Sequence, residues 1–115
     1  MLSREQFLTY LWRHIIDAHT PGHWIDNSIA EAKRYPNAPF ADVGPILERL
    51  LSLGVTPEEL SSLARFASYE AVFGVLCSFG DPGVDIISVE DIESLHESLL
   101  GDDPSGREGR PAKVI

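Results

Sequence analysis

The stretch from Pro57 to Phe79 carries no proline after its first residue and meets no turn signal before Gly80-Asp81-Pro82-Gly83. Its start is marked three ways. Thr56 can cap, Pro57 suits the first helical position, and Glu59 stands where a capping-box glutamate reaches back. Val55 and Leu60 add a hydrophobic staple across that start. Between Ala71 and Phe79 the only polar residue is Ser78, so apolar groups lie on every side of the helix. A helix of that kind is expected to be buried all round, and residues 57–79 are therefore expected to form the central buried element.

Three further helices and a fourth, shorter one are expected around it. Ser3 and Gln6 form a capping pair ahead of Phe7, Leu8, Leu11, Trp12, Ile15 and Ile16, which recur at helical spacing until Thr20-Pro21-Gly22. A second helix is expected from Asp26 or Asn27 to the residues before Pro36, followed by an extended linker at Pro36-Asn37-Ala38-Pro39. Asp42 reads as the next cap, with Pro45 in the first turn and Gly54 past the end. Ser88 and Asp91 resemble a capping pair before Val89, Ile92, Leu95, Leu99 and Leu100, and Gly101 ends that helix. No segment alternates apolar and polar residues as a half-buried strand does. The expectation is an all-α bundle of four or five helices in one domain, residues 1–100, with a flexible or loosely docked tail at 101–115.

The charge narrows the partner. The chain has 18 acidic residues against 9 Lys and Arg, a net charge of −9. The excess lies within residues 1–100, because 101–115 hold three of each sign. Such a field repels phosphates and anionic lipid heads, so neither nucleic acid nor a membrane is an expected partner, whereas a basic protein is. No apolar run approaches the length of a membrane span, the first residues do not read as a secretion signal, and Cys77 is the only cysteine. These features point to the cytoplasm.

Motifs for chemistry are sparse. His14, His19 and His23 lie close together, but on a helix the first two diverge by roughly 140° and Pro21-Gly22 separates the third, so no metal is expected. The turn at Gly80-Asp81-Pro82-Gly83 lacks the Lys and Ser or Thr of a phosphate loop, and no cofactor is expected. Glu70 enters the apolar part of the long helix beside Tyr69, where a carboxylate would be partly desolvated. Arg65 and Arg13 are the candidate cations for it, and a buried structural pair is the simpler account. Cys77 should be a buried small hydrophobe, and mid-helix Gly74 should permit close packing. Trp24 and Phe40 flank loops and can either close the core or line a partner surface.

Leu53-Gly54-Val55-Thr56-Pro57-Glu58-Glu59-Leu60, Ala67-Ser68-Tyr69-Glu70-Ala71-Val72-Phe73-Gly74 and Asp81-Pro82-Gly83 resemble small uncharacterised bacterial helical proteins. That resemblance implies no activity and no site residues.

The reading is a non-catalytic interaction protein that captures a basic protein partner through its acidic surface. The alternatives are a small enzyme or ligand-binding protein using Glu70 with a histidine, and self-association, as a homodimer, through an apolar helix face. Glu90, Glu93 and Glu97 share helical spacing opposite Ile92, Leu95 and Leu99 and are the candidate partner-binding acids. Glu90 also suits a helix N-terminus, whereas Glu93 and Glu97 lie beyond the first turn. Charge reversal at Glu93 and Glu97 should leave urea unfolding unchanged yet slow association with a basic partner. The loss should shrink as salt rises, since exposed charges are screened over about 8 Å at physiological strength. Association rates across a salt series measure this, and rates indifferent to both changes would refute it.

Overall fold

The computed structural model describes residues 2–20, 22–79, 96 and 98–112. Among them the chain is all-helical, with no strand, in keeping with a small helical bundle. The helices are α1 (Arg4–Leu11), α2 (His23–Arg34), α3 (Val43–Ser52) and α4 (Pro57–Phe79), and a π-helical segment, Trp12–Ile16, continues α1. The chain divides into two compact units: Met1–Trp24 with Gly54–Val84, and Ile25–Leu53 with Asp85–Ile115. The expected helix beginning at Ser88 lies mostly outside the described residues.

Local punctuation behaves as the residue types dictate. The Ser3 hydroxyl accepts from the Gln6 N–H at 3.1 Å while the Ser3 N–H donates to Gln6 Oε1 at 2.9 Å. Thr56 and Glu59 form the same reciprocal pair at α4, at 3.0 and 3.1 Å. The Thr56 N–H and hydroxyl both donate to Glu59 Oε1, each at 3.0 Å, and hold the Glu59 carboxyl below its ordinary range. Gly54 adopts φ +96°, the left-handed geometry that ends α3 without a Cβ penalty.

Three starts and turns differ from expectation. α2 begins at His23, not at Asp26 or Asn27, because Gly22 turns the chain at φ +80° immediately before it. Asp42 makes no side-chain cap bond, since it is already helical at φ −63°, ψ −17°. Residues 36–39 are turns instead of an extended linker: the Ala38 N–H donates to Tyr35 O at 3.1 Å, a closure for which Pro36 presets φ.

In the first unit Leu11, Ile16, Leu60 and Ser61 are buried; in the second, Ile25, Ala32, Ala41 and Leu47 are. The long helix corrects the largest expectation. α4 spans the residues anticipated, but only Leu60 and Ser61 on it are buried. Leu63 and Phe66 are 64% exposed, and Phe73, Val75 and Phe79 slightly over half. Cys77 is exposed as well. Within its unit α4 meets α1 and the π-helical segment along one side, through Tyr69, Val72, Phe73 and Leu76. Two short neighbours cannot wrap a helix on which every face is apolar.

Two glycines separate packing from propensity. A Cβ on Gly44 would collide with the Ala32 Cβ and come within 3.4 Å of Ser28 O, so Gly44 is what lets α3 approach α2. Among the described residues nothing lies within 4 Å of a Cβ on Gly74, so none of them makes the close packing expected there. Helix propensity favours alanine at both by about 1 kcal/mol. Gly44→Ala should nevertheless destabilise, because overpacking costs about 1–3 kcal/mol, while Gly74→Ala should stabilise by up to about 1 kcal/mol. Equilibrium urea unfolding reports both, and the same sign at the two positions would contradict this packing.

Candidate functional site

The π-helical segment shapes one side of the first unit. Its wide turn is closed by the Asp17 N–H donating to Trp12 O at 2.8 Å, five residues back. Both of those residues then meet Arg65 of α4. Arg65 Nε donates to Asp17 Oδ1 at 2.7 Å, and its guanidinium carbon lies 5.2 Å from the Trp12 ring centroid. Tyr69 stacks next in line, 5.9 Å from Trp12 and 6.0 Å from Phe73. The ion pair is half exposed, worth at most about 1 kcal/mol, so its effect is to fix direction more than to stabilise.

This arrangement removes the pairing expected for Glu70. Arg65 and Glu70 are five residues apart, roughly 140° around the helix, so Arg65 turns toward Asp17 while Glu70 points elsewhere. Glu70 is exposed, not desolvated, and makes no ion pair among the described residues. Arg13 is exposed in the π-helical segment. Tyr69 belongs to an aromatic row rather than to a polar site.

The histidines go three ways. His14 packs on Tyr10 with centroids 4.5 Å apart, His19 meets Trp24 edge-on at 5.2 Å, and His23 is exposed at the start of α2. Among the described residues no group of three His, Cys, Asp or Glu is placed to hold a metal ion. His19 Nδ1 is buried without a hydrogen-bond partner. Trp24 closes the interior: its Nε1 donates to the hydroxyl of buried Ser61 at 3.1 Å, which satisfies both groups. Glu90, Glu93 and Glu97 lie outside the described residues.

Concave surfaces lie on each unit. On the first unit, Phe7, Leu11 and Ile15 form a row with four-residue spacing, and Ala71, Val75 and Phe79 form another on α4. Between the rows runs a groove whose walls carry no charged side chain among the described residues; Phe7, Ile15, Val75 and Phe79 on it are each between 41% and 55% exposed. On the second unit, Asn27, Ser28, Glu31, Tyr35 and Phe40 border a cleft beside the turn that leads to α3. Sequence periodicity contains the first groove, since both rows are simple i, i+4 series; it was obscured because an all-apolar helix reads as core. Nothing in the sequence brings Glu31 and Phe40 together, because the turn at 36–39 does so.

Phe40 is held from behind by the C-terminal turns. The Asp103 carboxylate accepts from Ser105 N, Ser105 Oγ and Gly109 N at 3.0, 2.9 and 2.8 Å, and Gly109 O accepts from the Phe40 N–H at 2.8 Å. The tail through residue 109 is thus docked by a backbone bond. These bonds, led by that from Gly109, depress the Asp103 carboxyl below its usual range. A group lowered on folding stabilises the folded form above its unfolded pKa and loses that contribution as pH falls through the folded value. Protection of the Gly109 amide, taken relative to its exchange rate in an unfolded chain at the same pH, should therefore hold at neutral pH and fall only below the ordinary aspartate range, about 3.9. Asp103→Asn should remove this pH dependence, and a Gly109 amide unaffected by either change would rule the turn out.

No known protein family matches this chain, and comparison with curated proteins and with solved structures finds no significant relative. Among the described residues no helix is long and apolar enough to cross a membrane.

Proposed function

We propose that this protein is a non-catalytic interaction protein whose groove on α1 and α4 receives a basic amphipathic helix of a protein partner. The observation that carries the reading is the groove itself, uncharged among the described residues and flanked by half-exposed Phe7, Ile15, Val75 and Phe79. Helix-in-groove recognition uses anchors at i, i+3, i+4 and i+7, and two rows of four-residue spacing offer the complementary track. Charge selects the sign of the partner. In sequence, residues 81–97, which follow Phe79, contain six acids and no Lys or Arg. A second copy of this chain is the rival occupant, but each copy carries −9, and that repulsion favours a basic protein over a homodimer. The same field disfavours nucleic acid. A cytoplasmic setting suits a chain whose single cysteine is exposed. An enzymatic role for Glu70 with a histidine loses its support, because no such pair converges among the described residues.

Fluorescence anisotropy with a synthetic amphipathic Leu/Lys helix, set against its Leu/Glu counterpart, tests the reading. The basic peptide should bind and the acidic one should not. Val75→Ser with Phe79→Ser, which changes no charge, should weaken binding at least roughly tenfold, about 1.4 kcal/mol. Equal binding by the serine variant would show attraction without the groove. Concentration-dependent dimerisation in sedimentation velocity, abolished by the same substitutions, would assign the groove to a second copy instead.

A further inference from the structure

The second unit carries a site of different chemistry. Glu31 lies in the last turn of α2 and Tyr35 just past its end, where the Tyr35 N–H donates to Glu31 O at 2.8 Å, and the turn at 36–39 brings Phe40 to the same cleft, about 370 Å³ in volume. Tyr35 and Phe40 are 53% and 61% exposed, so both rings are accessible to a ligand. Glu31 is exposed and forms no ion pair among the described residues.

Phe40 is set in place at a conformational cost. Its φ of +59° is a left-handed backbone that a bulky side chain rarely adopts. Strain of this kind persists only where the surroundings impose it, and it gathers at ligand sites. Here the Gly109 carbonyl takes the Phe40 N–H, and the ring rests where a side chain at 109 would come within 3.1 Å of Cε2. An interior ring would gain burial in return for the strain. This one stays largely in solvent.

We propose that this cleft binds the guanidinium of an arginine side chain on a partner peptide, between the rings of Tyr35 and Phe40 and against the Glu31 carboxylate. Aromatic faces attract cations, and a flat, weakly hydrated guanidinium stacks on them better than an ammonium does. Tyr35 already does this within the chain: the Arg34 guanidinium carbon lies 5.5 Å from its ring centroid. The charge is complementary, since among the described residues lining the cleft Glu31 is the one charged side chain. The proposal does not depend on the α1/α4 groove.

The test is a titration of the full chain, followed by amide NMR, with the acetylated and amidated tripeptide Gly-Arg-Gly and its uncharged citrulline analogue. Saturable shifts centred on Glu31, Tyr35 and Phe40 are expected with arginine and none with citrulline. Glu31→Gln should weaken binding roughly threefold or more, and Phe40→Leu at least as much, as loss of an ion pair or a cation–π contact implies. The spectra themselves report whether each variant is folded. Arg34→Gln, which removes a competing cation, should tighten binding. Val75→Ser with Phe79→Ser should leave it unchanged, so failure of the groove reading is distinguishable from failure here. Equal binding of citrulline, shifts elsewhere, or retention of affinity in Glu31→Gln and Phe40→Leu would overturn the assignment.

Discussion

α4 brings more apolar surface than α1 and the π-helical segment can cover. Those two elements together span thirteen residues, Arg4–Ile16, against the 23 of α4, and they meet it along one side. Phe66, Phe73, Val75 and Phe79 are left in contact with water, where each half-exposed aromatic or branched side chain forgoes roughly 1 kcal/mol of burial. The features of the first unit follow from how that shortage is arranged. Arg65 sits over the Trp12 ring and is tied to Asp17, so one flank of α4 carries an aromatic row and an ion pair. Elsewhere the unit keeps a groove flanked by half-exposed Phe7, Ile15, Val75 and Phe79, with no charged side chain among the described residues.

The second unit meets its own shortage with close approach. Among the described residues its buried side chains include two alanines, Ala32 and Ala41, and two large aliphatics, Ile25 and Leu47. Small side chains bury little area, so contact must come from backbones drawing near, and Gly44 over Ala32 achieves that. The turn at 36–39 and the Asp103–Gly109 bonds then hold Phe40 in a left-handed conformation with its ring outward. Stability is low in density here, and part of it is used to present an aromatic group to solvent. The two units thus expose apolar surface for different reasons: one from surplus, the other from constraint.

Several residues were legible from local pattern and others were not. The reciprocal caps at Ser3–Gln6 and Thr56–Glu59 depend on groups three residues apart, so residue type is sufficient to foresee them. The divergence of His14 and His19 follows from helical rotation alone. Glu70 was misread because burial was inferred from the apolar residues around it in sequence, whereas burial depends on which elements lie beside it in space. Trp24 offered two roles, and the hydroxyl of Ser61, 37 residues away, decides for the interior.

By itself, then, the sequence determined the all-helical class, the span of α4, its caps, and the net charge, because each is a property of short segments or of a sum. An apolar helix surface states only that a partner is favourable; it does not state whether the partner lies in the same chain. Tertiary structure decided that α4 keeps most of its apolar faces uncovered within its unit, that Arg65 answers Asp17 instead of Glu70, and that Glu31, Tyr35 and Phe40 border one cleft. The physical reason is the same in all three. Contacts between residues distant in sequence depend on the directions of turns such as 36–39 and of the π-helical segment, where small changes in backbone angle redirect everything that follows.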